Sequence, residues 1–162
     1  MKAAAKNICI YIVFILVLIL AAGFFFRAFT PEDGNYVLPR DFYRKENDRF
    51  DVLFAGTSKI KQDIYPMLLY DEYGISSYNL GTGDQTVALS YYLLKDAIDR
   101  QHPKLVVLEA GMGDYKTTYE GTEDVHYISD NMPFFSKSRY ELIRGVEKEG
   151  EDSLRFLFPW YE

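Results

Sequence analysis

The sequence predicts an α/β domain built on a parallel sheet in three layers and preceded by one transmembrane helix. Three observations carry that expectation. An uncharged apolar run occupies Ile8 to Phe26. Beyond it, short runs rich in Val, Leu, Ile and Phe recur at Phe50 to Ala55, Ile75 to Leu80 and Leu105 to Leu108, each leading into a glycine-bearing loop. Helical patterns separate these runs, and the order strand, helix, strand, helix, strand favours right-handed crossovers and parallel pairing.

Composition bounds the chemistry. The chain has 162 residues, enough for one domain with a real core and too few for two large ones. A net charge of −6 without any basic run disfavours nucleic acid, whose binding rests on neutralising phosphates with Lys and Arg. Cys9 is the single cysteine and lies in the apolar run, which excludes a disulfide or a cysteine-based metal site within one chain. No His/Asp/Glu group has ligand spacing, so neither a metal nor another cofactor is expected. The 14 Tyr and 12 Phe read mainly as core and sheet-covering residues.

Taken in order, residues 1–29 form the anchor. A helix over Ile8 to Phe26 is roughly 28 Å long, close to the hydrocarbon thickness of a bilayer. That length favours a retained anchor over a cleaved signal peptide, although Ala21-Ala22-Gly23 offers small residues near its end. Lys2 and Lys6 precede the run, and Arg27 is soon answered by Glu32 and Asp33, which places the amino terminus in the cytoplasm and the remainder outside a plasma membrane crossed once. Residues 30–49 read as a linker and approach segment, with a short helix near Asp41 to Asn47. Its Arg40, Arg44, Lys45 and Arg49 form a solvated face or meet anionic headgroups or an anionic wall polymer.

Residues 50–162 make the α/β domain. Pro66 suits the first turn of a helix whose apolar side is Met67 to Tyr70 and Tyr73, and Gly74 ends it. A longer helix from about Thr86 to Arg100 carries Val87, Tyr91, Leu94 and Ile98 at alternating spacings of four and three, predicted to lie on the sheet. Pro103 ends it before the third strand, expected to be buried. Thr117 to Met132 reads as a polar loop, and Ser136 as the cap of a helix reaching about Lys148. The aromatic stretch Leu154 to Glu162 calls for cover, so the domain is expected to be incomplete or partnered.

All three strands should end at one edge, the edge where open α/β sheets bind ligands. Ser58 stands there, after Gly56-Thr57, as a candidate nucleophile. A serine hydroxyl needs a base to take its proton and donors to hold the oxyanion it generates. Backbone amides at Ser58, Gly81 and Gly113 are the candidate donors. His126, beyond the third strand on the same edge and close in sequence to Glu123 and Asp124, is the candidate base, while His102 belongs to the opposite edge. Neither a dinucleotide-binding glycine pattern nor a phosphate-binding P-loop is present.

These residues carry a resemblance. Gly56-Thr57-Ser58 after its strand, Tyr73-Gly74-Ile75-Ser76-Ser77-Tyr78-Asn79-Leu80-Gly81, and Pro103-Lys104-Leu105-Val106-Val107-Leu108 resemble the first half of an SGNH/GDSL-type hydrolase. The likeness is to its membrane-anchored, extracytoplasmic branch, distantly similar to teichoic acid D-alanine-transfer and polysaccharide O-acetylation proteins. It implies an SGNH/flavodoxin-like sheet, Ser58 as nucleophile and Gly81 as an oxyanion donor. It also implies action on ester groups of a cell-envelope polymer or acylated carbohydrate, beside the bilayer and with a membrane O-acyltransferase as a partner. Two positions depart from the pattern: Gly113 stands where the family has an asparagine, and the family's terminal Asp-x-x-His block has no counterpart. A non-catalytic envelope-binding or assembly partner is the alternative reading.

Overall fold

In the computed structural model, residues 2–29, 34–111, 123–146 and Phe156 are described. The chain divides into two compact units, 1–31 and 32–162. The first is helix α1 (Lys2–Phe29), whose stretch Lys6–Phe25 is long and apolar enough to cross a membrane.

The second unit contains α2 (Gly34–Tyr43), β1 (Val52–Ala55), α3 (Ser58–Asp63), α4 (Pro66–Tyr73), β2 (Ser77–Asn79), α5 (Val87–Gln101), β3 (Leu105–Leu108), α6 (Glu123–Ser129) and α7 (Lys137–Val146). It is a mixed α/β structure whose three strands, ordered β2-β1-β3, are all parallel. The register pairs Leu53 with Tyr78 on one side and with Val106 on the other.

Local chemistry explains most boundaries. Pro66 occupies the first turn of α4, and Gly74 closes the helix in the left-handed region at φ 68°. Thr86 caps α5, its hydroxyl accepting from Leu89 N at 3.2 Å, and Ser136 does the same for α7 through Arg139 N at 3.1 Å. The short helix expected at Asp41 to Asn47 lies earlier, as α2. Its Phe42 packs against Phe50 and Tyr78, with ring centroids 6.4 and 5.3 Å away, and the Tyr78 hydroxyl donates to Leu38 O at 2.8 Å. Apolar contact with the sheet, rather than local propensity, therefore sets that helix.

Two predicted faces are corrected. On α5, Val87, Tyr91 and Ile98 are 46%, 59% and 41% exposed, and of the expected stripe only Leu94 is buried. The buried face runs through Leu89, Leu93, Ala97 and Gln101 instead. It also carries Ser90 and Asp96, polar residues that a hydrophobic pattern assigns to solvent. Each has a partner inside: Ser90 Oγ accepts from Gln85, Asp96 accepts from Arg100, and Gln101 Oε1 accepts from Arg49 N and Phe50 N. Strand β3 is not buried as expected, for Leu105 and Leu108 are about half exposed, and among the described residues no strand pairs with its outer side.

Replacing Leu93 by Ala is expected to cost about 2–5 kcal/mol in denaturant unfolding, against about 0.5 kcal/mol or less for Tyr91→Ala. The reverse ranking would restore the originally expected face of α5. Burial, aided by Asp96 at Tyr43 and by Asp41 at Tyr78, holds both phenols well above the usual tyrosine value. Their contribution to stability is thus intact below the unfolded value of about 10 and is lost as pH rises through it towards the folded values. Alkaline titration should show these two ionising last, together with loss of the helical circular dichroism signal.

Candidate functional site

Parallel pairing brings the loops after β1, β2 and β3 to one edge, and the ladder continues into them. Leu80 N donates to Phe54 O at 2.8 Å, Thr82 N to Gly56 O at 3.1 Å, and Glu109 N to Ala55 O at 3.1 Å. The central loop is thereby bracketed from both sides.

Ser58 is the first residue of α3, directly beyond the β1 turn, and is exposed. Where the sequence predicts a glycine-bearing loop, the chain enters a short helix. Its signal is Thr57, whose hydroxyl accepts from Lys59 N at 3.3 Å and caps the helix. No side chain of α3 is fully buried, and hydrogen bonds secure both of its ends.

The carboxyl-terminal end of α3 is held by Asn79 of β2. Its Nδ2 donates to Ile60 O at 2.8 Å and Ile64 O at 2.9 Å, while its Oδ1 accepts from Gly81 N at 2.8 Å. Gly81, expected as an oxyanion donor, thus has its amide turned onto Asn79. Its lack of a side chain has a steric reason, for a Cβ would lie 2.6 Å from Lys61 N. Glycine lets α3 approach the β2 loop.

The next layer is also polar and satisfied. Thr82 donates through both its amide and its hydroxyl to Gln85 Oε1, at 3.1 and 3.0 Å, and Gln85 Nε2 donates to Ser90 at 2.8 Å. Asn35, at the start of α2, accepts from Lys61 Nζ at 2.8 Å and from Gly83 N at 2.7 Å. These bonds link the segment before β1 to the loop after β2.

On the β3 side stands Glu109, which sequence reasoning did not single out. Its Oε2 accepts from Thr57 N at 2.8 Å and from the Thr57 hydroxyl at 2.7 Å. Gly113, the third expected donor, lies outside the described residues.

The histidines are placed elsewhere. His102 caps α5 at the opposite edge, with Nδ1 2.6 Å from Asp48 Oδ1. His126 is on α6, not in a loop, and is buried. The carboxylate that orients it is Asp130, with Nδ1 3.2 Å from both oxygens. Its Nε2 is buried without a hydrogen-bond partner, and its ring lies 5.8 Å from that of Phe156. Arg139 completes this group: Nη2 is 3.9 Å from Asp130 Oδ1, and Nε donates to Ser129 O at 2.7 Å. Burial pulls the Arg139 guanidinium below its usual value, and the Asp130 charge opposes that. The three ionisable side chains tie α6 to α7, and α6 packs chiefly on α2, α7 and α5. Neither histidine is hydrogen-bonded to Ser58. Among the described residues, no group of three or more His, Cys, Asp or Glu is arranged to hold a metal.

Asn79→Ala removes the acceptor of the Gly81 amide and the side-chain donor to Ile60 O and Ile64 O, so a loss of roughly 1–3 kcal/mol is expected in thermal or denaturant unfolding. Asn79→Asp keeps the shape but turns a carboxylate onto those carbonyls, and should cost at least as much. Wild-type stability in both variants would refute the clamp. Comparison with family models, curated proteins and solved structures returns no match for this chain.

Proposed function

We propose that the chain is a membrane-anchored, extracytoplasmic SGNH-like esterase or acyl-transfer domain, a three-layer fold acting on ester groups of a cell-envelope polymer or acylated carbohydrate. The observation that carries this reading is the exposed Ser58, first residue of the helix that follows the central parallel strand, at the edge where the Gly81 and Glu109 loops also arrive. In this reading Ser58 attacks the ester carbonyl, and the backbone amides of Ser58 and Gly81 hold the oxyanion, Gly81 first leaving Asn79. Gly113 is the proposed third donor. The apolar α1 anchors the domain in a plasma membrane with its amino terminus in the cytoplasm, following Lys2 and Lys6.

The base is the open part of the reading. His126 already has its orienting carboxylate in Asp130, as a base of this kind requires, but its buried Nε2 has no hydrogen-bond partner and so none to Ser58. A second reading is favoured by that missing bond: a non-catalytic envelope-binding or assembly partner of a membrane O-acyltransferase, retaining the edge without the base.

A fluorophosphonate probe applied to the full chain in detergent micelles distinguishes the two. The esterase reading expects covalent labelling of wild type and none of Ser58→Ala, with both proteins showing the same cooperative thermal transition. A folded wild type that takes up no probe leaves the binding-partner reading.

A further inference from the structure

Glu109 is an unusual way to secure a turn. A threonine hydroxyl and one amide are ordinarily satisfied by a carbonyl or a neutral side chain, whereas burying a carboxylate costs free energy unless charge-assisted bonds offset it. The Glu109 side chain is only 10% exposed. One oxygen is committed to both donors of Thr57. The other, Oε1, is buried, makes no hydrogen bond, and stands 3.9 Å from Lys59 Nζ, inside ion-pair range.

Two glycines make room for it. A Cβ on Gly56 would lie 2.7 Å from Glu109 Cβ and 2.8 Å from Oε2, and one on Gly111 would lie 3.3 Å from Oε1. The Gly56-Thr57-Ser58 turn is therefore shaped around this carboxylate. The bonds act in series: Oε2 fixes the Thr57 amide and hydroxyl, that hydroxyl accepts from Lys59 N, and Ser58 is the residue between them.

We propose that Glu109 is a positioning residue for Ser58, setting through Thr57 the direction in which the serine leaves β1. This role rests on the reading of Ser58 as the nucleophile. It separates the work of the two flanking strands: Asn79 from β2 holds the far end of α3, and Glu109 from β3 holds the end that bears the serine.

The test measures the probe-labelling rate of the full chain as a function of probe concentration, so that the covalent step and probe affinity are resolved separately. Glu109→Ala should slow the covalent step roughly 10- to 100-fold with affinity little changed, as expected for a misdirected reacting group. Glu109→Gln keeps an acceptor oxygen for Thr57 and should recover the rate to within about threefold of wild type. If Glu109→Ala fails to fold, Thr57→Val against Thr57→Ser asks the same question from the donor side, with slowing expected only for Val. Backbone amide exchange over residues 57–61 should rise in Glu109→Ala and not in Glu109→Gln.

A wild-type covalent step in Glu109→Ala, in a protein whose Ser58 does label, overturns the positioning role and leaves the esterase reading standing. Equal slowing in Glu109→Gln and Glu109→Ala also overturns it, since charge rather than acceptor geometry would then matter. A folded wild type that does not label removes the esterase reading and this role with it, and increased exchange in Glu109→Ala would then mark a purely structural clamp.

Discussion

Everything at the candidate site depends on β1 being paired in parallel on both sides. Parallel strands share a direction, so three carboxyl ends meet without any further device. Because the pairing runs on through Leu80, Thr82 and Glu109, the site loops are continuations of the ladder and not free connections. A functional group placed on such a loop inherits the order of the sheet, which is what pre-organised chemistry needs.

The short helix α3 shows how that order is passed on. It buries no side chain completely, although Ile60 packs close to Gly56 and Gly81. Hydrogen bonds do the holding, from Asn79 at one end and from Glu109 through Thr57 at the other. Gly56, Gly81 and Gly111 supply clearance for these two side chains and for the helix backbone. The glycines of the edge thus serve close approach first, and any part that Gly81 takes in oxyanion binding must compete with its bond to Asn79.

Much of this was legible in the sequence. Three apolar runs with helical intervals specify a parallel sheet, and Pro66, Gly74, Thr86 and Ser136 mark helix ends by local chemistry that needs no tertiary knowledge. The failures share a cause. The α5 face was misassigned because its buried side includes Ser90, Asp96 and Gln101, made tolerable only by partners that a pattern cannot see. Glu109 and Asn79 escaped notice for the same reason, since their bonds reach residues 52 and 15–19 positions away. His126, expected in a polar loop as the candidate base, lies instead on a helix, because nothing local announces a buried group that includes Asp130 and Arg139. Polar residues inside a fold are explained by long-range partners, and those are what periodicity omits.

Among the described residues no strand covers the outer side of β3, which bears on the association of one molecule with another. An edge strand with exposed Leu105 and Leu108 is a template on which a foreign strand can add. Here the template is four residues long, and Lys104, paired to Asp51 at 2.9 Å, precedes it. An added strand would gain few backbone bonds, and at its Lys104 end it would meet an exposed ion pair that resists desolvation. Strand length, together with the exposed Lys104–Asp51 pair at its start, therefore limits what such an addition could gain.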